Sequence, residues 1–348
     1  MGVGYVYDPV YLKHDTGAHV ENSQRLVAVM NHLEETGLDK RLEHIKPRAA
    51  TPEEITLVHS PDLIAQIQVM AKKGGGWLDA DTVMSRDSYQ VALWAAGGML
   101  AALEVVMDGG NPVFALIRPP GHHATNSQAM GFCLFNNLAI VARQALKKYD
   151  LERIVIIDFD VHHGNGTQDS FYEEPRVLYI STHESPLYPG TGSMEETGSG
   201  DAAGTTINIP LPAGSGDTEY TTAFEQIIAP AVRRFAPQMI LVSAGYDPHW
   251  LERLSMMEVS VTGFARIVGI IRDLASELCP DRLIFSLEGG YPLDVLAYSV
   301  GATFNVLLGD NEIEDPLGQP QAGFKMRGFR TPDIAPLIEE LKKLHNLP

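Results

Sequence analysis

The sequence is poor in cysteine and in positive charge. Its 348 residues include two cysteines, Cys133 and Cys279, which is too few for a disulfide framework. Lysine and arginine number 26 against 44 acidic residues, for a formal net charge of −18. A surface this acidic repels a phosphate backbone, so we expect no nucleic-acid partner. The same field attracts cationic substrates.

The N-terminus and the apolar runs argue against secretion and membrane insertion. The opening residues MGVGYVYDPVYLKHD contain no basic stretch followed by an apolar one, and therefore predict no signal peptide. Read as a sequence, no run approaches the roughly 18 apolar residues of a spanning helix. With few cysteines as well, the chain is predicted to be cytoplasmic, with no membrane partner.

The composition is that of a globular protein, with 45% hydrophobic and 20% charged residues, and no repeat or linker divides it. We therefore predict a single domain over residues 1–348. Strands are predicted at 2–7, 112–117, 153–159, 177–181, 206–211, 239–243 and 283–287. Helices are predicted at 24–35, 88–107, 136–149, 218–235, 262–277 and 293–308. Strands that alternate with helices indicate an α/β domain with a mostly parallel sheet.

Polar residues follow five of the predicted strands. The strand-end segments are Pro119-Pro120-Gly121-His122-His123, Asp158-Phe159-Asp160-Val161-His162-His163-Gly164-Asn165, Thr182-His183, Asp247 and Tyr291. Ligands of open parallel sheets bind beyond the carboxyl ends of the strands. The pattern therefore predicts a functional site at this edge.

Three residues at this edge have the chemistry of a metal site. Asp160 and His162 are two residues apart, so in extended backbone their side chains point the same way, and Asp247 is the natural third ligand. Such a set suits catalytic zinc, and equally manganese or iron(II). The alternative is that Asp158 and Asp160 cap strand ends and that His162 and His163 are merely packed or solvated.

The adjacent histidines and the tyrosine supply acid–base chemistry. His122 and His123 offer a general base and an electrostatic partner beside a metal, with Asp158 and Asn165 as candidate hydrogen-bond partners. Tyr291 follows two glycines and is a candidate oxyanion donor. The alternatives are a surface histidine pair and a tyrosine that caps the sheet.

Other chemistries lack their motifs. The sequence has no Gly-x-Gly-x-x-Gly after a strand, no Gly-Lys-Ser/Thr loop and no Gly-x-Ser-x-Gly elbow,. Cys133 is interpreted as a buried core thiol rather than a nucleophile. Five isolated histidines are predicted to be surface or cap residues: His14, His32, His44, His59 and His345.

Six motifs occur along the chain: RPPGHH, MGFCLFNN, IDFDVHHGNGTQ, YPGTG, SAGYD and LEGGY. Together they resemble those of the zinc-dependent histone deacetylase family, which includes acetylpolyamine amidohydrolases and bacterial deacetylase-like amidohydrolases. The resemblance covers residues 1–310, and residues 311–348 are predicted to form a C-terminal loop and helix. Asn165, where an Asp is the alternative, resembles the class II branch. The resemblance implies the arginase–deacetylase fold, a central sheet of about eight strands wrapped by helices.

The resemblance also implies a role for each matching residue. One Zn²⁺ per chain would bind Asp160, His162 and Asp247. His123 would be the general base and then acid, His122 with Asp158 its electrostatic partner, and Tyr291 the group that polarises the carbonyl. Gly131 would accept the substrate N–H, Phe132 and Tyr188 would wall a tunnel, and Arg25 would lie at its acetate-release end. Structural K⁺ would bind at Asp158, Asp160, His162, Ser181 and Thr182, with a second site near Phe171 and Val177.

Several positions depart from the family pattern. His19-Val20-Glu21-Asn22-Ser23 stands where His-Pro-Glu-x-Pro is usual, and Tyr188 stands where class II enzymes usually have Phe. Leu254 aligns with the gatekeeper Glu of polyamine-selective relatives and argues against that selectivity. Asp79 or Asp81 could contact substrate at the rim, although an exposed loop acid is the alternative.

These observations predict a metal-dependent amidohydrolase that removes acetyl groups from N-acetylated amines, with acetyl-lysine peptides or proteins favoured. Three alternatives stay open: an acetylpolyamine amidohydrolase, a binuclear manganese ureohydrolase and a non-catalytic acetyl-lysine reader. The sequence leaves undecided the physiological substrate, the acyl-chain length, the cellular metal and whether the chain forms a homo-oligomer.

Overall fold

The computed structural model describes residues 2–310, 312–320, 324 and 332–348. The strands in this part of the chain are β1 (Gly4–Val6), β2 (Glu43–Ile45), β3 (Gly75–Trp77), β4 (Val83–Ser85), β5 (Val113–Ala115), β6 (Ile154–Asp158), β7 (Val177–Glu184), β8 (Thr206–Leu211), β9 (Met239–Ala244) and β10 (Leu283–Leu287). Eight of them form one sheet in the order β2-β1-β5-β10-β9-β6-β7-β8. Every pairing in that sheet is parallel, whereas β3 and β4 form a separate antiparallel pair.

Helices surround the sheet. The α-helices in the described residues are α1 (Gln24–Thr36), α2 (Pro52–Ile55), α3 (Pro61–Lys72), α4 (Ser88–Met107), α5 (Asn137–Lys148), α6 (Asn165–Phe171), α7 (Asp217–Ala223), α8 (Ala229–Phe235), α9 (Val261–Leu278), α10 (Leu293–Leu308) and α11 (Ala335–His345). A π-helical segment, Phe224–Ile228, joins α7 to α8. Every residue of β6, β9 and β10 is buried, as expected for strands covered on both faces.

The predicted architecture is confirmed: the described residues form one α/β domain with an eight-stranded parallel central sheet. The seven predicted strands are all present. Strand β2 was missed because its sequence, EHI, has two exposed polar residues and lies at the sheet edge. Helix α6 was missed because its sequence, NGTQDSF, has no apolar periodicity,.

Helix α4 corrects the prediction that no apolar run is long enough to span a membrane. Its 20 residues are long enough and apolar enough to span a membrane, judged by length and composition alone. In the folded domain, however, 72% of this apolar window is buried. An apolar helix with no polar face is also typical of a protein core, so α4 by itself is weak support for a membrane span.

Three isolated histidines correct another prediction. His14, His59 and His345 are buried rather than at the surface. Nδ1 of His14 lies 2.7 Å from Oγ of Ser88, and His59 accepts the N–H of Asn136 at Nε2 over 2.8 Å. These polar rings were predicted to be exposed because a lone histidine carries no pattern that reveals its tertiary partners.

The strand order explains why one edge carries the polar residues. In the pairing of β6, β9 and β10, Ser243 lies opposite both Asp158 and Ser286. Because these strands are parallel and in register, the segments that follow them leave the sheet at the same edge. Asp160, Asp247 and Tyr291 therefore come from distant parts of the sequence to one place.

Candidate active site

Asp160, His162 and Asp247 form a compact cluster at this edge. One ligand atom from each lies within 4.8 Å of the others. Nδ1 of His162 is 3.1 Å from Oδ1 of Asp160 and 3.3 Å from Oδ2 of Asp247. Two carboxylates and one imidazole nitrogen therefore face a common point, as the sequence predicted.

The surroundings of the cluster fit a cation. The N–H of Gly289 donates to Oδ2 of Asp160 over 2.8 Å, and the N–H of Val161 donates to Oδ1 of Asp247 over 2.9 Å. Oδ2 of Asp247 is buried and has no hydrogen-bond donor among the described residues. A buried carboxylate oxygen needs a donor or a positive charge. A divalent ion held by all three residues would supply that charge.

Glycine is required next to both carboxylates. A Cβ at Gly245 would collide with Oδ2 of Asp160, and a Cβ at Gly289 would collide with Oδ2 of Asp247. The backbone therefore approaches the two ligands more closely than any other residue type would allow.

The two carboxylates of the cluster change the pKa of the His162 ring. Burial by itself would lower the pKa of His162, but the neighbouring carboxylates of Asp160 and Asp247 outweigh burial and raise the pKa to about 10. In the metal-free protein the ring is therefore protonated near neutral pH, and that proton competes with a metal ion for Nδ1.

We accordingly expect metal binding to release about one proton per ion at pH 7, because a metal-ligating imidazole must be neutral. Zinc titration of the metal-free protein by calorimetry, in buffers of different ionisation enthalpy, measures this release directly. A His44→Gln variant is the control, since that exposed histidine bonds to the Tyr7 carbonyl away from the cluster. A binding enthalpy that is independent of the buffer would contradict the prediction.

His122 and His123 lie beside this cluster, and each has the partner that the sequence predicted. Nδ1 of His122 is 3.1 Å from Oδ2 of Asp158, and Nδ1 of His123 is 2.8 Å from Oδ1 of Asn165. The two rings are 4.0 Å apart. A donor hydrogen on Nδ1 of His123 leaves its Nε2 free to accept a proton.

The two rings differ in charge. Burial opposes protonation of His122, but the carboxylates of Asp160 and Asp158 raise its pKa to about 10. Burial and the positive charges of His122 and His162 hold the pKa of His123 well below its ordinary value. The pair therefore combines a charged imidazolium with a neutral base, the division of roles that acid–base catalysis requires.

Tyr291 reaches the site from the segment after β10. Its N–H donates to Oε2 of Glu252 over 3.0 Å, its ring lies 5.8 Å from that of Phe132, and the Arg25 guanidinium is 5.1 Å from its centroid. Burial, followed by the charge of Asp247, raises the pKa of the phenol well above its ordinary value. The hydroxyl is therefore a neutral donor at physiological pH.

A cavity of about 230 Å³ opens onto this site, since His122, His123, His162 and Tyr291 are among its lining residues. Pro120, Leu187 and Gly289 belong to the lining without having been predicted, whereas Arg25, predicted at the acetate-release end, does not belong to it. The lining residues are Asp81, Pro120, His122, His123, Gly131, Phe132, His162, Leu187, Tyr188, Leu254, Gly289 and Tyr291. Asp79 is absent from the lining, so Asp81 is the better candidate of the two acids for the rim.

Phe132 and Tyr188 contribute the aromatic part of the tunnel lining. Phe132 has a φ of 68°, which is uncommon for a residue with a side chain,. The Tyr188 ring lies 5.1 Å from that of His123. Leu254 is 39% exposed, which puts an apolar side chain where the tunnel meets solvent.

Arg25 lies behind the tunnel in a buried network. Its guanidinium donates to the carbonyls of Gly290 and Glu288 over 2.8 and 2.5 Å, and it pairs with Glu21 at 3.1 Å. Glu21 also pairs with the buried Arg118 at 2.5 Å. Burial opposes ionisation of Glu21, but Arg118 and Arg25 hold its pKa below the ordinary value. Sequence reasoning missed the contacts of Glu21 and Arg118, since about one hundred residues separate them.

Two of the positions predicted for potassium, Asp160 and His162, belong to the cluster itself, and the other three lie on the adjacent strands β6 and β7. Asp158 of β6 is paired with Ser181 of β7. Ser181 and Thr182 are fully buried, and the Ser181 hydroxyl is 2.9 Å from Nδ1 of His183. Phe171 ends α6 and Val177 begins β7. Potassium binding at these positions stays a prediction.

Cys133 has the features of a core thiol. It is buried, its Sγ lies 3.3 Å from the Gly131 carbonyl, and burial raises its pKa well above the ordinary value. A thiol held neutral in this way is a poor nucleophile.

Comparison with known proteins agrees with the architecture of the site. The histone deacetylase domain family matches residues 19–307. The chain is 39% identical to "Histone deacetylase 10, chloroplastic" of Oryza sativa subsp. japonica, over 96% of this chain and 79% of that protein. It is 38% identical to a "Probable deacetylase" of Archaeoglobus fulgidus, over 99% of this chain and 98% of that protein.

A solved structure extends this agreement to three dimensions. The crystal structure of the HDA15 HD domain superposes with a TM-score of 0.87 at 31% identity, covering 99% of this chain and 96% of that one. Sequence and fold thus agree over nearly the whole chain, and the protein belongs to the histone deacetylase family.

Proposed function

We propose that this deacetylase is zinc-dependent and hydrolyses the acetyl amide of acetylated lysine side chains. The observation that carries the proposal is the grouping around one cavity of a three-ligand cluster, a neutral base on His123 and the Tyr291 phenol. When bound, zinc supplies a Lewis acid that polarises the acyl carbonyl and lowers the pKa of water.

The protein's own groups divide the remaining work. His123, oriented by Asn165, takes a proton from the attacking water and then delivers it to the leaving amine. His122, paired with Asp158, keeps a positive charge beside the developing negative charge. The Tyr291 hydroxyl donates to the carbonyl oxygen as that oxygen becomes negative. The carbonyl of Gly131 is the acceptor for the substrate N–H.

The shape and chemistry of the cavity support lysine as the amine. Phe132 and Tyr188 are among its lining residues, and apolar walls suit a chain of methylenes,. Leu254 at the mouth offers no charge to a second ammonium group. Acetylpolyamines remain the second candidate, favoured by Asp81 in the lining; burial and the neighbouring Asp79 raise the pKa of Asp81.

Acetate release by zinc-quantified protein, from an acetyl-lysine peptide and from acetylputrescine in parallel, tests the proposal. We expect turnover of the peptide that chelator abolishes and Zn²⁺ restores. A strong preference for acetylputrescine would make the protein a polyamine enzyme. Binding of the peptide without turnover would identify a reader, and two manganese ions per chain with urea release from an added guanidino substrate would identify a ureohydrolase.

The pH profile provides a second test. The base must be neutral to act, and the pKa of His123 is lowered. We therefore expect kcat/KM to stay constant as the pH falls to about 6.5, the ordinary histidine pKa, and to decline only below that pH. In an Asn165→Asp variant the added negative charge favours the protonated ring, so the acid limb should move upward by about one pH unit. An acid limb that is the same in both proteins would exclude His123 as the titrating base.

A further inference from the structure

A buried carboxylate with no role in the proposed reaction lies beneath the histidine pair. Glu288, directly after β10, is fully buried. Its Oε2 accepts the N–H of Gly121 over 2.7 Å and the N–H of His122 over 3.2 Å. Its Oε1 accepts the hydroxyl of Ser286 over 3.3 Å. Both oxygens are therefore engaged by neutral donors.

Burial raises the pKa of Glu288 to about 7, although the charge of the neighbouring His122 opposes that rise. Within the described residues, no lysine or arginine side chain lies within ion-pair distance of its carboxylate, and Arg25 contacts only its backbone carbonyl. A buried carboxyl group that no lysine or arginine pairs with is costly, and an apolar side chain of similar size would avoid that cost. The groups that Glu288 holds provide the better explanation.

The corner that carries the catalytic histidines needs an acceptor at this place. Pro119 and Pro120 have no N–H, so Gly121 and His122 carry the next two backbone donors, and the corner is buried. On the other side of the same residue, the N–H of Thr167 donates to the His122 carbonyl over 3.1 Å. Glu288 and Thr167 thus hold the His122 backbone from both sides.

The segment that begins with Glu288 also contacts the rest of the site. The next residue, Gly289, donates its N–H to the metal ligand Asp160 over 2.8 Å, and Tyr291 follows two residues later. We propose that Glu288 is a positioning residue, which fixes the His122-His123 corner relative to Asp160 and Tyr291 through its two backbone hydrogen bonds. This inference rests on the proposed function.

Three substitutions separate hydrogen bonding from charge in the zinc-loaded enzyme. Glu288→Gln keeps an oxygen that can accept both N–H groups but removes the charge. Glu288→Asp keeps the charge on a side chain that is one methylene too short to reach them. Glu288→Leu removes both. The readouts are kcat and KM for the acetyl-lysine peptide, with the zinc content of each variant.

We expect Glu288→Gln to keep kcat within about threefold of the wild-type value. Glu288→Asp and Glu288→Leu should lower kcat by roughly 10- to 100-fold, the scale of misplaced catalytic groups. KM and zinc content should be unchanged in all three variants. If Glu288→Leu fails to fold, the comparison of Glu288→Asp with Glu288→Gln still tests the positioning role. The inference would be overturned if Glu288→Gln lost as much kcat as Glu288→Asp. It would also be overturned if Glu288→Asp or Glu288→Leu kept the full kcat. A loss confined to KM or accompanied by loss of zinc would overturn it as well.

Amide hydrogen exchange of His122 gives a readout that does not depend on turnover. In protein labelled with ¹⁵N-histidine, we expect exchange at this amide to accelerate in Glu288→Asp and Glu288→Leu and to stay slow in Glu288→Gln. Equal exchange in all four proteins overturns the positioning role even if no substrate has been found. Slow exchange in the wild type and Gln alone, with no acetate release from any protein, would instead count against the proposed function.

Discussion

Asp160→Asn is expected to reduce acetate release to background and to abolish zinc binding in the same protein. Asp160 offers one carboxylate oxygen to the cluster, and its Oδ1 lies 3.1 Å from Nδ1 of His162. Loss of the ion removes several kcal/mol of transition-state stabilisation. At about 1.4 kcal/mol per decade, that corresponds to roughly four decades in kcat.

The asparagine variant is preferable to alanine because its side-chain oxygen can still accept the N–H of Gly289. Metal content by elemental analysis, thermal unfolding and acetate release should be measured on the same preparation. Asp201→Asn, at an exposed position in the short 3-10 helix Gly200–Ala202, is the matched control and should retain both zinc and activity. Turnover by Asp160→Asn with no bound metal would refute the assignment of the cluster.

Tyr291→Phe is expected to lower kcat by about two to three decades, the effect of removing one oxyanion donor, with KM nearly unchanged. The ring contacts with Phe132 and Arg25 do not involve the hydroxyl, so the phenylalanine should occupy the same place. The tunnel walls that hold the substrate chain are also left intact. The loss should therefore appear in the transition state alone.

Steady-state kinetics with the acetyl-lysine peptide, at matched zinc content, check this result. Tyr298→Phe is the control, since that ring packs against His32 on another part of the molecule and should leave kcat within about twofold of the wild type, as for most surface changes. An unchanged kcat in Tyr291→Phe would remove this residue from the mechanism. A raised KM with unchanged kcat would instead make it a binding residue.

The identity of the ligand cluster and of its partners could be predicted from the sequence because they are encoded locally. The pair Asp160 and His162 is two residues apart after a strand, and His122-His123 follows a rigid Pro-Pro-Gly corner. The rule that parallel strands end at one edge was enough to add Asp247 and Tyr291. The parallel α/β architecture followed from apolar runs that alternate with helical patterns.

Only the tertiary structure determined the contacts between residues far apart in sequence. Glu21 lies against Arg118, and Glu288 against the backbone of Gly121 and His122, although 97 and 167 residues separate them. The collisions that exclude a side chain at Gly245 depend on the same packing. The sequence by itself determined which groups could do the chemistry, because type and local spacing are written in it. Their orientation was decided by buried hydrogen bonds between distant segments, which form only when the chain packs.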